Sequence, residues 1–447
     1  MTEHERESNR GGRCASTVAP TSFNADIALA AATRRIRRHS RSSPMKLALL
    51  LATFLALWAP SLRAQDTSLE EFDEVDPYTK GQPELMKLAG IEAFGPIAWS
   101  GKVRSPDVKA ALGGVDVIFI ESANFRLAST LESYKIGEDR EDKRWLNAEI
   151  AEFKKLFPKH KYGTKIDPWL RAHLWIRRLE QWHADFTKTF GLSYDDFTNL
   201  EKRAARGEPM GAGPYLGQKE KFTVLLAQKR SALGRYLRQY AGLDVEYSYR
   251  FQHENSYFLG TNFELLEEGE RDFEIAFASG VAASLTANFV DAMRDSRNVA
   301  PEWFRYGLAH AAARRVDPRW NQWQAGGDPT SEDDDSWKWE PRVLGLAKNK
   351  VAPPWSEMMG WAKLEQIKPR DHMIVWSRVE WLLDERKDKA RELLLAFTKP
   401  IDDWGPKRDE LRVQQHAAAL KNVLGATPEE LDEAWLAWVQ RTYGKKR

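Results

Sequence analysis

Apolar positions recur every three or four residues from Phe273 to Ala292, and Phe277, Val281, Leu285, Phe289 and Ala292 trace one side of a predicted helix. Around that stripe nearly every residue is small: Ala276, Ala278, Ser279, Gly280, Ala282, Ala283, Ser284 and Ala287. Small side chains let neighbouring elements approach the backbone closely. Gly280 costs about 1 kcal/mol against Ala in a helix interior, so the pattern predicts a central, tightly packed helix. A second helix is predicted after Ala300, opened by Pro301 where a missing N–H does no harm. It buries Trp303, Phe304, Gly307, Leu308 and Ala311.

The rest of the chain is built around this pair. Val115 to Ile120 is β-rich behind Gly113 and Gly114, with Asn124 to Ala128 as its expected pairing neighbour. From Glu141 to Phe157 the period changes, and Leu146, Ile150, Phe153 and Phe157 share one helical face. The spacing predicts a further helix from Asp167 to Phe190, with Asp167 as cap and Pro168 behind it, and a third over Tyr194 to Arg206. A Gly- and Pro-containing break follows. Phe222 to Ala227 then reads as a buried strand, Lys229 to Tyr240 as a helix, and Val245–Phe251 with Tyr257–Gly260 as a pair of short strands.

Beyond the central pair, 317–370 reads as a long irregular connection, after which helices are predicted at Asp371–Glu385, Lys389–Thr398 and Arg408–Leu424. The last helix has the clearest start: Thr427 caps it, Pro428 opens it, Glu430 completes a capping box, and Leu431, Ala434, Trp435, Trp438 and Val439 face inward. The expected fold class is therefore α+β, with a flexible lead-in over 65–110, a small strand-containing part over 111–270 and a predominantly helical part over 271–447. No internal repeat is visible.

The N-terminal residues change the charge argument. Met45-Lys46, the apolar run Leu47–Trp58 and the small-residue site ending at Ala64 describe a secretory signal peptide over 45–64, too short to span a membrane. Residues 1–44 are then expected to be an over-extended gene start, and the mature chain to be exported to the periplasm or beyond the cell, with no membrane span. Residues 1–64 hold ten of the 67 basic and four of the 65 acidic side chains, which leaves 57 and 61. A basic surface for nucleic acid is not indicated. The only cysteine, Cys14, lies in the removed part, so stability is expected from core burial without disulfides.

A search for chemistry returns absences. The chain has no H-E-x-x-H, no G-x-S-x-G, no phosphate-binding Gly-rich loop and no dinucleotide fingerprint, and the histidines at 160, 173, 183, 253, 310, 372 and 416 are scattered. Glu332, Asp333, Asp334 and Asp335 lack regular ligand spacing and read as a solvated loop rather than a calcium site.

The run Pro301-Glu302-Trp303-Phe304-Arg305-Tyr306-Gly307-Leu308-Ala309, following a helix and a turn, resembles the gluzincin-type (peptidase-MA-like) zinc metallopeptidases of exported bacterial proteins. In that family the first helix carries H-E-x-x-H and the second reads P-x-W-[LF]-x-E-G-L-A, its Glu being the third zinc ligand. Here Tyr306 stands at the Glu, Ser279 and Ala283 at the two histidines, and Gly280 at the general base. A register one residue later uses Gly280, Val281 and Ser284 instead. Zinc in such a site needs three protein donors, and its water needs a carboxylate base. The resemblance therefore implies a degenerate peptidase fold with no metal and no cofactor. Its former cleft, lined by Ser279, Gly280, Ala283, Ser284, Glu302, Tyr306 and His310, is expected to bind a peptide or protein.

Two other classes stay open. Ten of the 18 tryptophans lie between Trp303 and Trp404, six of them (Trp320, Trp323, Trp337, Trp339, Trp355, Trp361) in the irregular connection; core packing is the expected use of most of them, and any exposed faces would suit a cell-envelope or carbohydrate-binding module. A hydrolase of unrecognised chemistry would use Glu302, Tyr306 and His310, spaced to lie near one another on the second helix.

Overall fold

The computed structural model describes residues 75–163, 165–199, 201, 213–267, 273–293, 300–319, 338–398, 405 and 407–445, all within the compact unit Phe72–Arg447. Its fold is α+β. The strands are β1 (Ile91–Phe94), β2 (Ala98–Ser100), β3 (Val103–Arg104), β4 (Ile118–Ser122), β5 (Phe125–Ser129), β6 (Phe222–Ala227), β7 (Tyr249–His253) and β8 (Ser256–Asn262). The helices of the first part are α1 (Pro83–Ala89), α2 (Ser105–Ala111), α3 (Arg140–Leu156), α4 (Pro168–Thr189), α5 (Tyr194–Thr198), α6 (Arg230–Ala241) and α7 (Glu264–Glu267). The helical part holds α8 (Glu274–Ala292), α9 (Glu302–Val316), α10 (Trp339–Lys348), α11 (Trp355–Met359), α12 (Asp371–Glu385), α13 (Ala390–Phe397), α14 (Arg408–Leu424) and α15 (Pro428–Tyr443).

Six strands form one sheet in the order β1-β4-β5-β6-β8-β7, while β2 and β3 make a separate ribbon. The centre, β5-β6-β8, is parallel, with Leu127 beside Val224 and Val224 beside Leu259, and antiparallel hairpins close both flanks. Strand side chains alternate between faces. Ile120, Leu127, Val224, Leu226 and Leu259 enter the main core, whereas Phe119, Ala128, Leu225, Ala227 and Phe258 enter a second core beneath α2 and α6. This two-sided burial explains why β6 is apolar at nearly every position.

Helix α8 lies on the main-core face. Its stripe of Phe277, Val281, Leu285 and Phe289 belongs to that core, and the Phe289 ring stands 5.2 Å from both Phe222 on the sheet and Phe186 on α4. Among the described residues only Glu274–Ala292 is long and apolar enough to cross a membrane, and here all of it but Gly280 and Ser284 is buried within the fold. Helix α9 is clamped between α8 and α12. A Cβ on Gly307 would stand 2.4 Å from Val379 Cγ2 and 2.6 Å from the Val375 carbonyl oxygen, so only glycine allows α9 and α12 this close.

Two expectations about organisation are corrected. The lead-in expected as flexible over 65–110 contributes α1, β1, β2, β3 and most of α2, with residues 65–74 outside the described residues. It is anchored by Asp76, which pairs with His173 of α4 at 3.0 Å, and by Tyr78, which donates to Asp167 at 2.6 Å. The connection over 317–370 contains α10 and α11, while 320–337, including Glu332 to Asp335, lies outside the described residues.

Candidate functional site

Ser279 and Ala283, which the resemblance sets at the two histidine positions, sit inside a direct helix contact. Ser279 is fully buried, and its Oγ donates to the Ala313 carbonyl of α9 at 3.0 Å. One turn on, Ala283 packs against Ala309 and Ala313 in a small apolar cluster of its own. Gly280 and Ser284 lie on another side of α8 and are half-buried. Small residues on both helices thus do what the sequence predicts and bring the backbones together.

The second-helix candidates are turned inward as well. Tyr306 and His310 are 6% and 2% exposed, so neither lines an open cleft as expected; both pack towards α12. The Tyr306 ring meets His372 edge-on at 5.9 Å, and burial pushes its phenol up to about 12, with Arg305 pulling the other way. His310 Nε2 lies 3.0 Å from His372 Nδ1, a single hydrogen bond between two buried imidazoles with Trp339 packed on the His310 ring at 5.0 Å. Burial lowers both: His372 falls to about 4, and His310, with His372 and Arg314 adding to the burial effect, falls well below its ordinary value.

Glu302 is not a free acid. Its carboxylate accepts from Arg305 Nη2 at 2.5 Å, and Arg305 Nη1 also reaches Asp291 near the end of α8 at 3.3 Å. Arg250 of β7 completes this cluster, donating to Asn288 at 2.9 Å and to Asp291 at 3.1 Å. Burial lowers the Arg305 guanidinium, but the two carboxylates outweigh it and the net shift is upward. Such a set ties hairpin, α8 and α9 into one body. Among the described residues no three His, Cys, Asp or Glu side chains gather as metal donors.

A second buried charge network holds the other end of α8. The Ile275 N–H donates to Asp142 at 2.9 Å and the Glu274 N–H to the Tyr134 hydroxyl at 3.3 Å, which satisfies two donors of the first helical turn from outside the helix. Burial, aided by the Glu274 and Asp139 carboxylates, pushes Asp142 up to about 6 despite the hydrogen bonds it accepts from the Ile275 N–H and, at 2.9 Å, from the Tyr134 hydroxyl. Glu274 accepts from Arg171 at 2.7 Å and from Arg178 at 2.9 Å, and Arg178 also grips Glu149 at 2.6 Å. Burial raises the Glu274 carboxyl, but the two guanidiniums outweigh it and hold it below its ordinary value. Neither network is among the sequence expectations, although Arg171 and Arg178, seven residues apart on the apolar face of α4, are a readable signal for buried ion pairs.

A concavity lies beside the pair. A groove of about 410 Å³ runs between α3 and α4 on one side and α9 on the other, with Thr286 of α8 at its base. Leu174, Trp182, Phe186 and Leu308 give it an apolar floor, and Arg177, Gln181 and Asp185 line its α4 rim. None of Ser279, Gly280, Ala283, Ser284, Glu302, Tyr306 or His310 borders it. The alternative that needs exposed tryptophan faces finds none among the described residues of the connection: Trp339, Trp355 and Trp361 are 6%, 0% and 6% exposed and pack into the core, and Trp320, Trp323 and Trp337 lie outside the described residues. No family model, curated protein or solved structure matches this chain.

Proposed function

We propose that this chain is an exported, non-catalytic protein that keeps a peptidase-like helix pair without its metal chemistry and works by binding a peptide or protein. The observation that carries the reading is the contact at the aligned ligand positions, where Ser279 and Ala283 press against Ala313 and Ala309. A catalytic zinc needs three donors around an open water position, and side chains this small supply neither imidazole nor carboxylate. Buried Glu302, held by Arg305, and buried His310, held by His372, are likewise engaged in structure rather than poised for proton transfer.

The test is metal content and hydrolysis by the purified protein after dialysis against zinc. The expected result is no stoichiometric zinc and no cleavage of casein or of a mixed peptide pool. Zinc bound one to one and removable by chelator, together with peptide cleavage, overturns the reading.

A further inference from the structure

We propose that the groove between α3, α4 and α9 is the ligand site, and that it takes an extended peptide carrying one large apolar side chain. The proposal rests on the binding role argued above and adds its place and its chemistry. The groove volume of about 410 Å³ falls in the range of ligand sites, and its floor of Leu174, Trp182, Phe186 and Leu308 matches a Phe or Leu side chain rather than a charged or sugar ring, which would be left unsolvated on it.

The walls are held rigid before any ligand arrives. Arg178 is fixed between Glu149 and Glu274, and its guanidinium lies 4.3 Å from the Trp145 ring, which borders the groove from α3. Trp182 stands edge-on to buried Trp175 at 6.3 Å. The rim offers both signs: Arg177 on one turn of α4, then Gln181 and Asp185, whose side chains meet at 2.9 Å, with Arg315 opposite on α9. Donors and acceptors side by side suit the alternating N–H and C=O groups of a peptide backbone. A single-sign ligand such as an acyl carboxylate or a polyphosphate would meet Asp185 and Glu152 as well as the arginines. Rigid walls lower the ordering cost of binding.

The probe is a nine-residue Gly/Ser peptide with p-benzoylphenylalanine at its centre, added to the full chain and irradiated. The expected result is crosslinking to the Trp182–Phe186 stretch of α4 or to Leu308 and its neighbours on α9, and competition by the same peptide with central Phe about tenfold or more stronger than with central Ala. Ala312→Trp, at a half-buried lining position, is expected to fill the groove and abolish crosslinking, and Trp182→Ala to weaken it if Ala312→Trp does not fold. Crosslinks mapping elsewhere, or indifference to Phe against Ala, overturn this site while leaving the non-catalytic reading intact. Binding of chitotetraose instead of peptide, lost in Trp182→Ala, overturns the peptide assignment. Zinc-dependent cleavage of the probe would instead overturn the reading on which it rests.

Discussion

Replacing the contact between His310 and His372 with neutral amides isolates what two buried imidazoles contribute to pH dependence. His310 uses Nε2, which a Gln amide can imitate, and His372 uses Nδ1, which an Asn amide can imitate, so the double variant His310→Gln, His372→Asn retains a hydrogen bond without a titrating group. In the folded chain burial holds His372 at about 4 against 6.5 when exposed. The folded state therefore resists the proton that the unfolded state accepts. The contribution of this histidine is fully present above about pH 6.5 and is lost as the pH falls towards about 4. Worked through the linkage relation, His372 alone removes about 2 kcal/mol between pH 7.5 and 5, and His310 adds a loss of the same sign. Asp142, raised to about 6, acts in the opposite direction, because its folded form holds a proton that the unfolded carboxyl releases. It is present in both proteins, so the difference between them reports the histidines. Urea unfolding at the two pH values is the assay. The parent is expected to lose about 2 kcal/mol or more relative to the double variant over this interval; equal pH slopes would refute the buried neutral pair.

Three further outcomes follow from packing and charge. Gly307→Ala gains about 1 kcal/mol of helix propensity but drives a methyl into Val379 and the Val375 carbonyl, so urea unfolding is expected to show a net loss of about 1–3 kcal/mol; unchanged stability would mean that α9 and α12 are not held this close. Glu274→Gln leaves Arg171 and Arg178 without their shared carboxylate, with an expected loss of about 3 kcal/mol or more, and a loss below about 1 kcal/mol would show that the arginines reach water. Thr427→Ala removes the cap that accepts from the Glu430 N–H at 3.3 Å and is expected to cost about 1 kcal/mol in the same assay, while leaving peptide crosslinking unchanged.

Long periodic elements are legible in the residue pattern alone. Asp371–Glu385 and Arg408–Leu424 coincide with their expected bounds, β6 does as well, and the Thr427–Glu430 capping box is formed. Short elements are not legible in this way. Strands of two to four residues such as β1, β2 and β3 give too few positions for alternation to show, and their Gly and Pro neighbours read as loop. Helices α10 and α11 begin on tryptophans of a stretch that reads as an irregular connection, and tertiary contacts order them: Trp303 packs on Trp355 at 5.0 Å and Trp376 on Trp339 at 5.6 Å. At the site, the close approach of α8 and α9 is readable from their small residues, whereas the partner of His310 lies 62 positions away and carries no local signal. The groove is invisible in the sequence because its walls come from helices far apart along the chain, α3 and α4 on one side and α9 on the other, which no local pattern brings together.

The closed helix pair makes installing an H-E-x-x-H motif and its third ligand a severe test. A zinc ion keeps each donor about 2 Å away, so side chains reaching it must fill the space between two helices that do not touch at that point. Here the space is absent, because the Ser279 hydroxyl already reaches the Ala313 backbone and Ala283 meets Ala309. Substituting Ser279→His, Gly280→Glu, Ala283→His and Tyr306→Glu together supplies all four family groups in the right order but forces two imidazoles into an interface built for a hydroxymethyl and a methyl. Overpacking of this kind costs about 1–3 kcal/mol per site, and the Tyr306→Glu change loses the ring contact with His372. The quadruple variant is therefore expected to be less stable than the parent by about 3 kcal/mol or more and to show no tight zinc binding by calorimetry. If it unfolds at the parental urea midpoint and takes up one zinc, the helices separate at little cost, and the closed contact then does not exclude a metal between them.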